Sequence, residues 1–285
     1  MATSAVVLAS EAALALYPIL IKTVPTNLPT QLVSRLLVYS GLAYFFATES
    51  DVRMTWGNLP GIVRSSSLGL LTLFHIGCSY YAFQVLPAGV SMSLFYTYPI
   101  WNVIGAALGF GEQFEVWQMG LVLLGFVGAV LVAYGNKDPD PQKQEDPFIW
   151  KGVLAGLLAA LSESAIYFAV RTAERPSPFY AVLELYPAAL FLLLGIVFFT
   201  KKSIDFRPQV WARMLSFNTL VGFLGYCLRF YAIPRLPTLV FSLLSFVGVL
   251  ASFGWGYVFV NEIPTWMSLL GGGLISSVAA FSTFK

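Results

Sequence analysis

A chain of 285 residues that is 58% hydrophobic and only 11% charged, with a mean hydropathy of +0.76, holds too little polar surface to cover one soluble core. The formal net charge is +2, and the Lys and Arg residues are scattered rather than clustered, which excludes a nucleic-acid groove binder. What remains is an integral, multi-pass membrane protein.

Crossing about 30 Å of hydrocarbon takes roughly 17 to 25 helical residues. Apolar runs of that size fall at 4–24, 29–48, 61–84, 88–109 and 114–134, and again at 150–173, 178–200, 207–232, 238–260 and 264–284, so ten spans are expected. The first run lacks a basic leader, carries Glu11 and stays apolar beyond the usual signal length, and so reads as a span. Pro25 and Pro29 separate spans one and two, and Pro176 and Pro178 follow span six. Pro60, Pro87, Pro208, Pro237 and Pro264 stand at helix starts, where a missing donor costs least, whereas Pro18, Pro99 and Pro187 lie inside spans and predict kinks. The polar stretch 135–149 links a first five-helix unit, 1–134, to a second, 150–285.

The two units share landmarks. Tyr81-Ala82 with Pro87, and the turn at Gly111-Glu112, return as Tyr231-Ala232 with Pro237 and as Asn261-Glu262; 231 − 81, 237 − 87 and 262 − 112 are all 150. Five crossings is an odd number, so the second copy enters from the opposite face and the halves are related by a pseudo-two-fold axis in the membrane plane. The fold class is therefore all-α, with ten transmembrane helices as two inverted five-helix repeats. Such halves can exchange conformations and open one central cavity to either side, which is a carrier's architecture; duplication serving folding alone is the alternative.

Tyr81-Ala82, Pro87-Ala88-Gly89, Ser91, Ser93, Pro99, Gly111-Glu112 and Gly120 resemble the repeat unit of the drug/metabolite transporter superfamily, in its EamA-type ten-helix form. The second half departs from it, with Val249 where the offset places a proline and Asn261 where it places glycine. The resemblance implies a secondary carrier for small organic metabolites working by alternating access, with both termini cytoplasmic. Counting basic residues on the two faces gives no usable asymmetry of its own.

Ionisable residues inside spans are costly and mark function. They are Glu11, Arg35, His75, Glu163, Glu184 and Arg229. Counted along the helices, Glu11, Glu163 and Glu184 form an acidic layer, while Arg35 and His75 fall nearer the other face. Arg229 is the expected counter-ion of Glu163 or Glu184, and an Arg35–Glu184 pair is not expected. These groups would bind a polar solute, zwitterions included, with Glu11 and Glu163 as candidates to carry a coupling proton; an ion-pair network that only fixes packing is the alternative. Glu112 and Glu262 read as helix-start charges favoured by the dipole.

An aromatic wall for the solute is expected from Tyr80, Tyr81, Phe95, Tyr98, Tyr167, Tyr226, Tyr231 and Phe241. The Ser65-Ser66-Ser67-Leu68-Gly69 and Gly271-Gly272-Gly273 runs mark close helix contacts. Cys78 and Cys227 read as apolar filler rather than a disulfide. A lone histidine without paired Cys or HExxH spacing gives no metal site, and no cofactor is expected.

Amino acids or related amines are the first substrate class, because acid and base both line the spans. Organophosphate or nucleotide-sugar exchange would want several basic residues in the last two spans, where only Lys285 stands. An intramembrane carboxylate-dyad enzyme is disfavoured, since Asp51, Asp138, Asp140, Asp146 and Asp205 all lie in connections and no G-x-S-x-G elbow occurs; a non-transporting scaffold is the remaining alternative. The expected partners are a small-molecule substrate, the bilayer and coupling protons, for a monomer or homodimer.

Overall fold

The computed structural model of the chain describes residues 2–86, 88–135, 149–260 and 265–283. Among them every regular element is helical. In chain order these are α1 (Ala2–Leu14), α2 (Tyr17–Thr23), α3 (Leu28–Phe46), α4 (Glu49–Trp56), α5 (Leu59–Val85), α6 (Ala88–Phe95), α7 (Tyr98–Phe110) and α8 (Val116–Gly135). The second half runs α9 (Ile149–Arg171), α10 (Pro178–Thr200), α11 (Pro208–Phe217), a π-helical turn (Asn218–Phe223), α12 (Leu224–Ala232), α13 (Thr238–Ser245), α14 (Val247–Val260) and α15 (Trp266–Thr283). Several predicted spans are thus broken helices: α1–α2, α6–α7, α11–α12 and α13–α14. Five stretches, Ala2–Thr23, Leu59–Val85, Trp150–Arg171, Pro178–Thr200 and Thr238–Phe259, are long and apolar enough to cross a membrane. Their outward rings and aliphatic chains, such as Phe198, Phe199, Leu108 and Val116, are exposed for lipid.

Local chemistry sets the ends. Asn27, Asn58 and Ser177 each accept the backbone N–H three residues on and start α3, α5 and α10. Thr48 and Asp51 close a reciprocal capping box on α4. Gly111, at φ +65°, ends α7 in the left-handed region that favours glycine. Glu112 therefore follows a helix end rather than opening one, and α8 begins at Val116; Glu112 is instead the ion-pair partner of Arg171 at 3.1 Å. Pro87, Glu262, Pro264, Lys285 and the polar linker at 136–148 lie outside the described residues.

Prolines account for some breaks and not others. Near Pro18, Leu16 N–H bonds Ala13 O, which leaves Ala12 O to accept Trp255 Nε1–H at 2.7 Å. Pro99 sits at the start of α7, just after the break. Pro187, where a kink was expected, lies inside an uninterrupted α10. Phe246 breaks α13 from α14 with no proline at all; 246 − 96 is 150, so the break repeats the one at Tyr96 and is set by packing. Tyr96 rests on Gly248, where a Cβ would lie 1.7 Å from its hydroxyl oxygen.

The packing is reciprocal. α1 packs on α12 and α13, α9 packs on α5 and α7, α3 packs on α10, and α8 packs on α15. Each contact of one half has its exchanged counterpart in the other, which is the mark of a two-fold relation. The connections give its direction. Thr26, between α2 and α3, donates to Asp205 between α10 and α11 at 3.0 Å, and Arg175, between α9 and α10, reaches Asp51 of α4 at 2.9 Å. Thus the first half's first connection meets the second half's second, and the converse holds at the other end. Parallel copies would place like connections together, so the halves are inverted. Gly128 and Gly271 bring α8 and α15 into backbone contact, and Gly69 lies against Ala188. Cys78 and Cys227 are both free thiols.

Candidate functional site

The reciprocal pairs α1/α12 and α9/α5 meet at the centre, and each contributes charged side chains. Arg229 of α12 stands 3.2 Å from Glu11 of α1 and 3.0 Å from Glu163 of α9. Glu163 Oε2 is 3.0 Å from His75 Nε2 on α5. All four side chains are almost wholly excluded from solvent. Tyr96 and Tyr98 donate to Glu11 at 3.0 and 3.3 Å, and the Arg229 guanidinium lies over the rings of Tyr98 (4.7 Å) and Phe241 (5.7 Å). Two carboxylates, one permanent cation and one imidazole thus form a continuous chain across both halves.

The other ring nitrogen of His75 is set by the backbone of α9. Ser162 donates its hydroxyl hydrogen to Leu158 O at 2.7 Å, so His75 Nδ1 is assigned as the donor to Ala159 O at 3.1 Å. His75 Nε2 then faces Glu163 Oε2 at 3.0 Å, a close contact that does not have hydrogen-bond geometry.

Beside this cluster lies a second group around Arg35 of α3. Its guanidinium carbon sits 4.7 Å from the ring centroids of Tyr17 and Tyr226, 5.2 Å from Tyr39, 5.6 Å from Tyr80 and 5.9 Å from Tyr186. Arg35 donates to the hydroxyls of Tyr186 at 3.1 Å and Tyr80 at 3.4 Å. The π turn Asn218–Phe223 supports the cage from the second half: Asn218 Oδ1 accepts from Tyr17 at 3.1 Å, and its amide donates to Ser34 at 3.4 Å. A small cavity of about 30 Å³ lies between the two groups, lined by Arg35, His75, Arg229, Tyr226, Phe95 and Met92 among others. It has room for roughly two waters, so the solute-sized space is shut in this conformation.

Most of the residues singled out in sequence converge here: Glu11, Arg35, His75, Tyr80, Phe95, Tyr98, Glu163, Tyr226, Arg229 and Phe241. Three do not. Glu184 is held at the end of α10 by Arg64 Nε at 2.7 Å and by Tyr180 at 3.0 Å, so it is no counter-ion of Arg229. Tyr167 packs on Phe241 but spends its hydroxyl on Arg171. Tyr231 is partly exposed and stacks under Arg235, while Tyr81 packs on the small Ala82–Leu86–Ala155 cluster away from the cavity. Separate acidic and basic layers are likewise absent, because His75 and Glu163 touch. α5 has 27 residues, and a helix that long tilts, so depth counted along its axis is misplaced. Tyr17, Tyr39, Tyr96 and Tyr186 were missed; for Tyr17 and Tyr186 the available signal was a tyrosine directly before an intraspan proline, Pro18 and Pro187, as Tyr98 stands before Pro99.

The ends of the bundle are closed by polar contacts between halves. On one side stand Arg64–Glu184, Arg175–Asp51 and Arg171–Glu112, with Arg171 also donating to Leu236 O at 2.9 Å. On the other, Asp205 N–H donates to Thr30 Oγ1 at 2.9 Å and Arg207 donates to Pro25 O. Among the described residues no group of three His, Cys, Asp or Glu side chains gathers to hold a metal ion.

Comparison with known proteins agrees with this architecture. The model of the EamA-like transporter family matches twice, over residues 2–134 and 150–284. The chain is 21% identical over 238 residues to the pseudopaline exporter CntI of Pseudomonas aeruginosa (strain UCBPP-PA14), covering 82% of this chain and 78% of that protein. It is 24% identical over 263 residues to the uncharacterized transporter YdfC of Bacillus subtilis (strain 168), covering 88% and 80%. One solved crystal structure superposes with a TM-score of 0.76 over 99% of this chain and 98% of its own, at 15% identity, a likeness of fold alone.

Proposed function

Because the chain belongs to the EamA-like transporter family, we propose that it is a secondary carrier that moves small organic metabolites, amino acids or related amines first among them, by alternating access. The observation that carries this reading is the Glu11–Arg229–Glu163–His75 chain, buried where α1, α5, α9 and α12 meet beside a small cavity. Ion pairs that merely fix packing need no cavity. A group of this kind offers carboxylates to a solute ammonium, and the His75–Glu163 contact offers a proton that can leave when the cavity opens. Glu163 is the first coupling candidate and Glu11 the second.

The closed ends support the same reading. Each is held by contacts between halves rather than within them, so rocking one half against the other breaks one set while the other persists. The domain units for that motion are 1–134 and 150–285. Export is the direction named for CntI and is the first to test here. No second reading gains support: Arg229 at the cavity is already held by two buried carboxylates, Glu11 and Glu163, which a phosphate would have to displace.

Proteoliposomes loaded with labelled amino acids or amines, under an imposed pH gradient, test the proposal. Flux driven by the gradient, and lost in Glu163→Gln while exchange at equal pH persists, is the expected result. Absence of any solute movement across a broad panel would overturn it.

A further inference from the structure

Arg35 lacks the counter-ion that the central cluster gives Arg229. It is 2% exposed, and no carboxylate pairs with it among the described residues. Arg229, one helix away, has two. A buried cation without an anion is costly, and ring faces recover only part of that cost. Two carboxylates, Glu11 and Glu163, stand against Arg229, and none stands against Arg35. Tyr80 and Tyr186 accept from Arg35 and hold its guanidinium in place. Arg35 itself lines the cavity, and no carboxylate is among the lining residues. The apolar part of the lining is Phe83, Phe95, Met92 and Leu14.

We infer that Arg35, with the hydroxyls of Tyr80 and Tyr186, is the binding site for the carboxylate of an organic solute whose apolar part lies against Phe95 and Phe83. The planar guanidinium fork matches a carboxylate in two-point contact. This deepens the carrier reading and rests on it for the solute's path, but binding itself is independent of transport. A solute with an ammonium as well would span from Arg35 to Glu11 or Glu163, which assigns the two ends of an amino acid to the two halves of the cavity.

The test compares phenylalanine, 3-phenylpropionate and phenethylamine as ligands of the purified full-length chain, by thermal protection and equilibrium binding. Both carboxylates should bind the unaltered protein, and phenethylamine should bind at least about tenfold more weakly, the worth of a charge-assisted hydrogen bond. Arg35→Gln should lose the carboxylates by a similar factor and keep whatever affinity phenethylamine shows, and Arg35→Lys should recover only part. Tyr186→Phe, which leaves the cage packed, should weaken carboxylates alone. Equal binding of amine and carboxylates by the unaltered protein, unchanged carboxylate binding in Arg35→Gln, or no binding of any carboxylate would each overturn the site. Liposome flux separates this from the carrier reading: carboxylate binding without flux sinks transport and leaves the site, whereas flux of amines with carboxylates ignored does the reverse.

Discussion

Arg229 stands 3.2 Å from Glu11, a residue 229 − 11 = 218 positions earlier in the chain, and the contact joins the first helix of one half to the third span of the other. It is one of two such contacts that Arg229 makes, and both carboxylates are as deeply buried as the guanidinium. Removing the cation strands two negative charges, whereas removing one carboxylate leaves a balanced pair.

Arg229→Gln should therefore destabilise the protein by about 3–5 kcal/mol, the usual cost of breaking a buried pair from one side. Adding Glu11→Gln to that variant should return part of the loss. Denaturation midpoints of the singles and the double, read as a cycle, check this; equal losses for Arg229→Gln and the double variant would contradict it.

Gly248→Ala should be damaging although it adds a single methyl group. Its Cβ would lie 1.7 Å from the Tyr96 hydroxyl oxygen, and that hydroxyl donates to Glu11, so the ring has to leave its partner. About 1–3 kcal/mol is expected for such overpacking. Gly248→Ala with Tyr96→Ala should be less unstable than Tyr96→Ala predicts by simple addition, as thermal unfolding would show.

Arg171→Gln at the bundle end should cost less, about 1 kcal/mol or under, because Arg171 and Glu112 both remain partly in contact with water. Its effect should shrink as salt rises. The same salt series on Arg229→Gln should change little, since ions in solution do not reach the buried pair.

Asp51, in the connection that carries α4, gives a pH expectation. Burial opposes its ionisation, but hydrogen bonds from Thr48 and the charge of Arg175 prevail and hold its carboxyl below the ordinary value of 3.8. A depressed folded value stabilises above the unfolded one and is lost as pH falls through it. Acidification below about 3.8 should thus loosen the Arg175–Asp51 contact, and Asp51→Asn should lose stability at neutral pH while flattening that part of the pH profile. Melting temperature against pH for the two proteins is the measurement.

Hydropathy and the 150-residue offset were enough to place ten helical segments and to require inversion, because lipid leaves backbone groups no partner outside the helix and an odd count of crossings turns the second copy over. The same sequence picked out the intramembrane charges, since each is costly on its own. It did not say which charges meet. Glu184 and Glu163 are alike in type and setting along the chain, yet one faces Arg64 and the other Arg229 and His75. Nor did it show that Arg35 would be wrapped by five tyrosines and left without a carboxylate. Helix rotation and tilt decide such pairings, and these are set by how glycines, kinks and the π turn let neighbouring spans approach. That information lies in the packing of segments far apart in the chain, not in the pattern of any one of them.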